Sequence, residues 1–177
     1  MRDEAEENWE PLLTAEEFEE FYAHAVGRLT GQLYVMLGDL PEAQDVVQEA
    51  FVRGWSRRSR LAKDGNPEGW IRTVAWRLAV SRWRGRRRSE DAWRRHGGPP
   101  AVEGPGPGTV ALIDALRALP PAQRRSVTLH YVCDLTVEQV AAETGVSGST
   151  VKTHLARGRA ALAHVLPDAH AEEPPGA

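Results

Sequence analysis

The sequence predicts an all-α chain, built as two small helical domains joined by a flexible Pro/Gly linker. Three observations predict it. Apolar residues recur at three- and four-residue steps along most of the chain, the spacing of one helical face. Sustained strand alternation is absent. Residues 97–108, Gly-Gly-Pro-Pro-Ala-Val-Glu-Gly-Pro-Gly-Pro-Gly, place four prolines and five glycines in twelve positions, a composition that supports neither helix nor strand. The 177 residues, 41% of them hydrophobic and six of them Trp, are enough for one or two compact cores.

The first helix opens at Thr14, with Glu17 three residues on as a capping box. Its apolar stripe runs through Phe18, Phe21, Tyr22, Ala25, Leu29, Leu33 and Met36, and Gly38 ends it. Asp39 with Glu42 opens the second helix in the same way. There Ala43, Val46, Val47, Ala50, Phe51 and Trp55 form one stripe, flanked by Asp45, Gln48, Glu49 and Arg53. Asn66-Pro67 supplies a cap and a first-turn proline for the third helix, with Trp70, Ile71, Val74, Ala75 and Leu78 as its buried face and a basic run to Arg88. Past the linker, Leu112, Ala115, Leu116 and Leu119 resume the helical spacing, and a further helix spans about Ala122 to Val132. Thr136 with Gln139 caps a short helix, Gly145-Val146 turns the chain, and Ser147 or Ser149 caps a last helix through Leu162 and Val165. The domains are therefore read as 12–95 and 110–166, with a linker over 96–109 and a disordered tail over 167–177.

Charge is distributed unevenly. Residues 1–50 carry 2 basic and 13 acidic side chains, a net of −11; residues 51–100 carry 14 and 4, a net of +10; residues 101–177 carry 6 and 8, a net of −2. An acidic arm and a central basic surface suited to a polyanion follow, concealed by an overall charge of −3. The acidic start lacks the pattern of a signal peptide, and no stretch approaches the roughly 20 apolar residues of a membrane span. A soluble cytoplasmic protein is expected. The single cysteine, Cys133, can form no internal disulfide, and Cys133 with His130 is too few ligands for a metal. No glycine-rich phosphate loop or HExxH sequence is present. No enzyme activity, cofactor or metal is expected.

Three segments carry the functional signal. From Leu135 to Leu162, a capped short helix with Ala141 at its middle, Gly145 at the turn, Val146 and a second helix form a helix-turn-helix. Gly145 permits the positive φ of a tight turn. The outer face of the second helix carries Ser149, Thr150, Lys152, Thr153, Ala156, Arg157 and Arg159, short polar groups suited to a groove and cations suited to phosphate or guanine. An ordinary hairpin with a basic solvated face is the plainer reading. The second segment interleaves Arg72, Arg77, Arg82, Arg84 and Arg86 to Arg88 with Trp70, Trp76 and Trp83, so that cations could meet phosphate while an aromatic face stacks on an unpaired base. Equally, Trp76 could flank the core beside a solvated face. The third segment, Pro41 to Trp55, is by itself an amphipathic helix.

Together these segments, over about residues 14–166, resemble the extracytoplasmic-function (group IV) sigma factors of bacterial RNA polymerase. Glu42 through Trp55 is similar to the family's core-binding helix. The resemblance implies docking on the clamp of the polymerase's largest subunit through Asp45, Gln48, Glu49, Phe51 and Trp55. Trp70 through Ala79 is similar to the segment that melts and reads the −10 element, which implies −10 contacts from Arg72, Trp76, Arg77, Arg82 and Arg84. Leu119 through Arg125 and the helix-turn-helix resemble the −35-reading domain. By position Lys152, Thr153, Ala156 and Arg157 would face the bases, with Thr150 and Arg159 near phosphates. Core RNA polymerase and promoter DNA are the implied partners, and the family also admits an anti-sigma factor. The alternative is a stand-alone regulator, because Thr150 through Leu155 also resembles the recognition helix of response-regulator output domains.

Overall fold

The computed structural model describes residues 13–63, 65–93 and 107–165. The acidic arm, most of the expected linker and the expected disordered tail lie outside the described residues. Eight helices make up the described fold: α1 (Ala15–Leu37), α2 (Leu40–Trp55), α3 (Arg58–Lys63), α4 (Pro67–Trp93), α5 (Pro107–Arg117), α6 (Pro121–Tyr131), α7 (Val137–Thr144) and α8 (Gly148–Val165). Each boundary has a local cause. Thr14 and Glu17 form the reciprocal capping box of α1, and Gly38 ends that helix at φ 72°, a left-handed position that glycine adopts without Cβ strain. At α2, Asp39 accepts from the Glu42 amide; the Glu42 carboxylate faces Arg82 across the fold, 3.6 Å away. Asn66 accepts from the Gly69 amide at 2.9 Å to start α4. Thr136 and Gln139 cap α7 reciprocally, and Gly145 ends it at φ 74°.

Two features differ from the sequence expectation. Helix α3 follows α2 almost at once, anchored by the fully buried Leu61. Helix α5 begins at Pro107, inside the stretch expected to be linker, because a proline at the first helical position gives up no intrahelical hydrogen bond.

Helices α1, α2 and α4 bury Ala25, Leu29, Leu33, Met36, Val46, Val47, Ala50, Ile71 and Ala75 between them. Helices α6, α7 and α8 bury Val127, Leu129, Val140, Val151 and Leu155. The two groups do not stand apart. Their apolar residues form one continuous cluster, with α1 packed against α5 and α6, and α4 against α7. Helix α4 therefore has two covered faces. Ile71 and Ala75 point into the first group as expected, while Arg72, Trp76 and Ala79 are also buried, and Trp70, Val74 and Leu78 are only partly so.

Candidate functional site

The helix expected to read duplex DNA presents its outer face to solvent. Helix α8 starts from Ser147, whose hydroxyl accepts from the Thr150 amide at 3.2 Å. Val151 and Leu155 turn inward and hold α8 against α6 and α7. Lys152, Thr153, Ala156, Arg157 and Arg159 all lie on the exposed side. Thr150 is half-buried and its hydroxyl is 2.8 Å from Ser147 Oγ, so it belongs to the cap as much as to the outer face. A neighbouring residue that sequence periodicity did not single out is Gly158: it lies at the crossing of α8 and α6, where a Cβ would sit 2.4 Å from Val127 Cγ2.

The α2 surface is more selective than its sequence suggested. Asp45 and Gln48 are exposed. Glu49 is held by Arg53 on its own helix and by Arg82 of α4 at 2.7 Å; those guanidinium hydrogen bonds, Arg82 foremost, lower its carboxyl pKa. Phe51 is buried, at the centre of an aromatic cluster with Phe18, Phe21 and Tyr22 at centroid distances of 6.2, 5.5 and 4.9 Å. What a partner would meet is the rim of that cluster. Tyr22, Val52 and Trp55 are exposed there and, with Gln48, line a shallow cleft of about 410 Å³. Tyr22, read from its spacing as part of the α1 apolar stripe, is exposed because it sits at the edge of that stripe, and Val52 falls beside the α2 stripe, so neither was legible as a surface group.

The arginine-tryptophan segment divides. Arg77 and Arg84 are exposed and, with Trp76, Val80, Ser81 and Gly85, line a cleft of about 580 Å³. Arg125 of α6 forms part of the same cleft, its guanidinium 5.4 Å from the Trp76 ring centroid, a cation–π distance. Burial pulls the Arg125 pKa down to about 10, which still leaves it charged at neutral pH. Trp76 keeps 9% of its surface, so its ring is a wall between the two helix groups. Arg82 is half-buried against Glu49 and Glu42. Arg72 is 3% exposed. It gives two parallel hydrogen bonds to the Glu143 carboxylate of α7, at 2.8 and 2.9 Å, and a third to Gln32 of α1 at 2.9 Å. Burial works against the Arg72 charge, but the bonds to Glu143 outweigh it and leave the pKa raised. Of the five arginine and tryptophan positions read as DNA-facing, this arrangement presents Arg77 and Arg84 to solvent and turns Arg72, Trp76 and Arg82 inward.

Comparison with known proteins gives a consistent picture. The family model Sigma-70 region 2 matches residues 21–89, and the model Sigma-70, region 4 matches residues 109–162. The chain is 28% identical to the RNA polymerase sigma-E factor of Streptomyces avermitilis, over 85% of each chain. It is 30% identical to the ECF RNA polymerase sigma factor BldN of Streptomyces coelicolor, over 82% of this chain and 62% of that one. Among solved structures, the sigma factor RpoE in complex with the anti-sigma factor NepR, from Bartonella quintana, superposes with a TM-score of 0.74 at 21% identity, covering 85% of this chain and 97% of that chain. CnrH in complex with the cytosolic domain of CnrY gives 0.62 at 18% identity, over 86% and 88%. Those two likenesses concern the fold.

Proposed function

The chain belongs to the sigma-70 family as an extracytoplasmic-function sigma factor, a protein that initiates transcription, and from that premise we propose how its surfaces divide the work. The rim of the α2 cluster, with Asp45, Gln48, Val52, Trp55 and Tyr22, docks on the clamp of core RNA polymerase. Helix α8 reads the −35 duplex, with Lys152, Thr153, Ala156 and Arg157 toward the bases and Arg159 toward phosphate. The cleft of Trp76, Arg77 and Arg84 holds unpaired −10 bases of the non-template strand. The domains that do this are 12–95 and 110–166. The observation that carries the reading is the exposed basic face of α8 set on an apolar cross-packing with α7, together with a second arginine-aromatic cleft formed by α4 and Arg125 of α6.

No covalent chemistry belongs to this chain; the polymerase makes the RNA. Phosphate contacts from arginine supply affinity that falls with salt, and base-edge contacts on α8 supply sequence choice. Unpairing and flipping a base costs a few kcal/mol, which stacking on an aromatic face of about 1–3 kcal/mol per base can offset. Among the described residues no helix is long and apolar enough to cross a membrane. An anti-sigma factor is a further partner, supported by the structural likeness to sigma factors solved with one.

Run-off transcription from a genomic fragment library, with core polymerase and with or without the chain, tests the reading. New start sites sharing −35 and −10 sequences are expected. Arg157→Ala should weaken −35 duplex binding and leave core binding intact. Arg77→Ala, at an exposed position, should lower open-complex formation more than −35 binding. Tight duplex binding by the chain alone, with no new starts, would favour the stand-alone regulator.

A further inference from the structure

The observation that the proposed −10 cleft leaves unused is the pairing of Arg72 with Glu143. These residues are 71 positions apart and belong to the two different regions of the chain, yet their side chains are 4% and 6% exposed and joined by two parallel hydrogen bonds. The contact is braced on every side. Gln32 from α1 and Glu68 from α4 take the remaining Arg72 donor group, at 2.9 and 3.4 Å. Arg125 of α6 donates to the Glu143 main-chain carbonyl at 3.2 Å while covering the Trp76 ring. At the far end of the same interface, Arg117 of α5 lies so closely on the α1–α2 turn that a Cβ on Gly38 would fall 2.2 Å from its Nε.

We propose that Glu143 and Arg125 form a latch that holds the two regions of the free chain closed. In that state Glu143 occupies Arg72 as an anion in place of DNA phosphate, and Arg125 covers the Trp76 face that an unpaired base would stack on. The inference rests on the −10 reading above. The closed chain and the DNA-engaged chain are then exclusive at Trp76, since one surface cannot be buried under α6 and stacked on a base. A paired buried charge is also a sensitive switch. Two charges in good geometry offset their desolvation, whereas removing one leaves the other buried and uncompensated. A competing anion that reaches Arg72 and Arg125, such as the DNA backbone itself, therefore favours opening.

The test uses the full chain with Glu143→Gln, which keeps shape and removes charge. Arg125→Gln is a second variant, and the exposed Glu138→Gln on α7 is the control. Small-angle scattering reports the radius of gyration, and fluorescence anisotropy reports affinity for a labelled single-stranded oligonucleotide, both without polymerase. Glu143→Gln should expand the chain by about a tenth in radius and tighten oligonucleotide binding by roughly tenfold. Arg125→Gln should move both in the same direction by less, and Glu138→Gln neither. Circular dichroism identifies a variant that fails to fold, in which case Arg125→Gln alone decides. Parent-like radius and affinity in the folded variants would overturn the latch. Expansion without tighter binding would show a hinge that shields no DNA face, and would count against the −10 reading instead.

Discussion

Gly158 offers a sharp test of the packing that positions the recognition helix. An alanine there would place its Cβ 2.4 Å from Val127 Cγ2 and 3.7 Å from Leu119 Cδ1. Carbon atoms rest at about 3.5–4.0 Å, so the first contact is short by roughly 1 Å. Val127 is buried in α6, and a β-branched side chain in a helix has essentially one rotamer, so its methyl cannot swing aside. Helix α8 must lift from α6, or valine must leave its rotamer; overpacking of this kind costs about 1–3 kcal/mol. Against it stands a gain of about 1 kcal/mol from alanine over glycine in a helix. A net loss of about 1 kcal/mol is expected, or a fall in Tm of about 3 °C for a chain of this size. Gly27 of α1 has nothing within 4 Å of a built Cβ, so Gly27→Ala should shift Tm upward by a similar amount. Urea and thermal unfolding, followed by circular dichroism, measure both. Adding Val127→Ala to Gly158→Ala should cost less than Val127→Ala alone, because it removes the clashing methyl. Two glycine substitutions that stabilise equally would refute the close crossing of α6 and α8.

Two further predictions address the partner face and the lone thiol. Val52→Glu, at a position 69% exposed, should weaken association with core polymerase at least tenfold without moving Tm, whereas Phe51→Ala should cost about 3–5 kcal/mol of stability; parent-like core affinity of Val52→Glu in an anisotropy titration would remove that surface from the docking site. Burial pushes the Cys133 thiol from 9.0 up to about 11, so at pH 8 its alkylation by iodoacetamide should run about a hundredfold slower in the native chain than in urea. The same proton is held by the folded state and released by the unfolded one, so stability should fall as pH rises from about 9 toward 11. Equal alkylation rates in the two states would contradict the buried environment.

What could be read from the sequence was local. Thr14 with Glu17 and Thr136 with Gln139 close their capping boxes because the partners are three residues apart and the geometry is set within one turn. Gly145 adopts φ 74° for the same kind of reason, and the outer face of α8 is exposed because its spacing opposes Val151 and Leu155. Phe51 carries two readings at once. Its place in the α2 apolar stripe marks it as core, while the family resemblance marks it as a contact; three aromatic neighbours from α1 bury it, and Val52 and Trp55 are the exposed groups on the rim.

The interface between the two regions had no such local signature, and α4 explains why. Its periodicity announces one apolar face through Ile71 and Ala75, and an arginine at 72 on the neighbouring strip reads as solvated or phosphate-bound. A buried arginine needs a carboxylate that only tertiary structure can supply, here Glu143 from another helix and 71 positions on. Glu143 is equally silent in sequence, as one more acid on a short helix. Only the pair has meaning, and the pair turns a strip that composition marks as DNA-binding into a contact within the chain. The basic central charge of +10 is thus divided. Arg77 and Arg84 face outward, Arg82 is bound to α2, and Arg72 is enclosed. Counting arginines overstates the phosphate contacts open to the free chain, and a salt titration of oligonucleotide binding should give a steeper slope once Glu143→Gln releases Arg72.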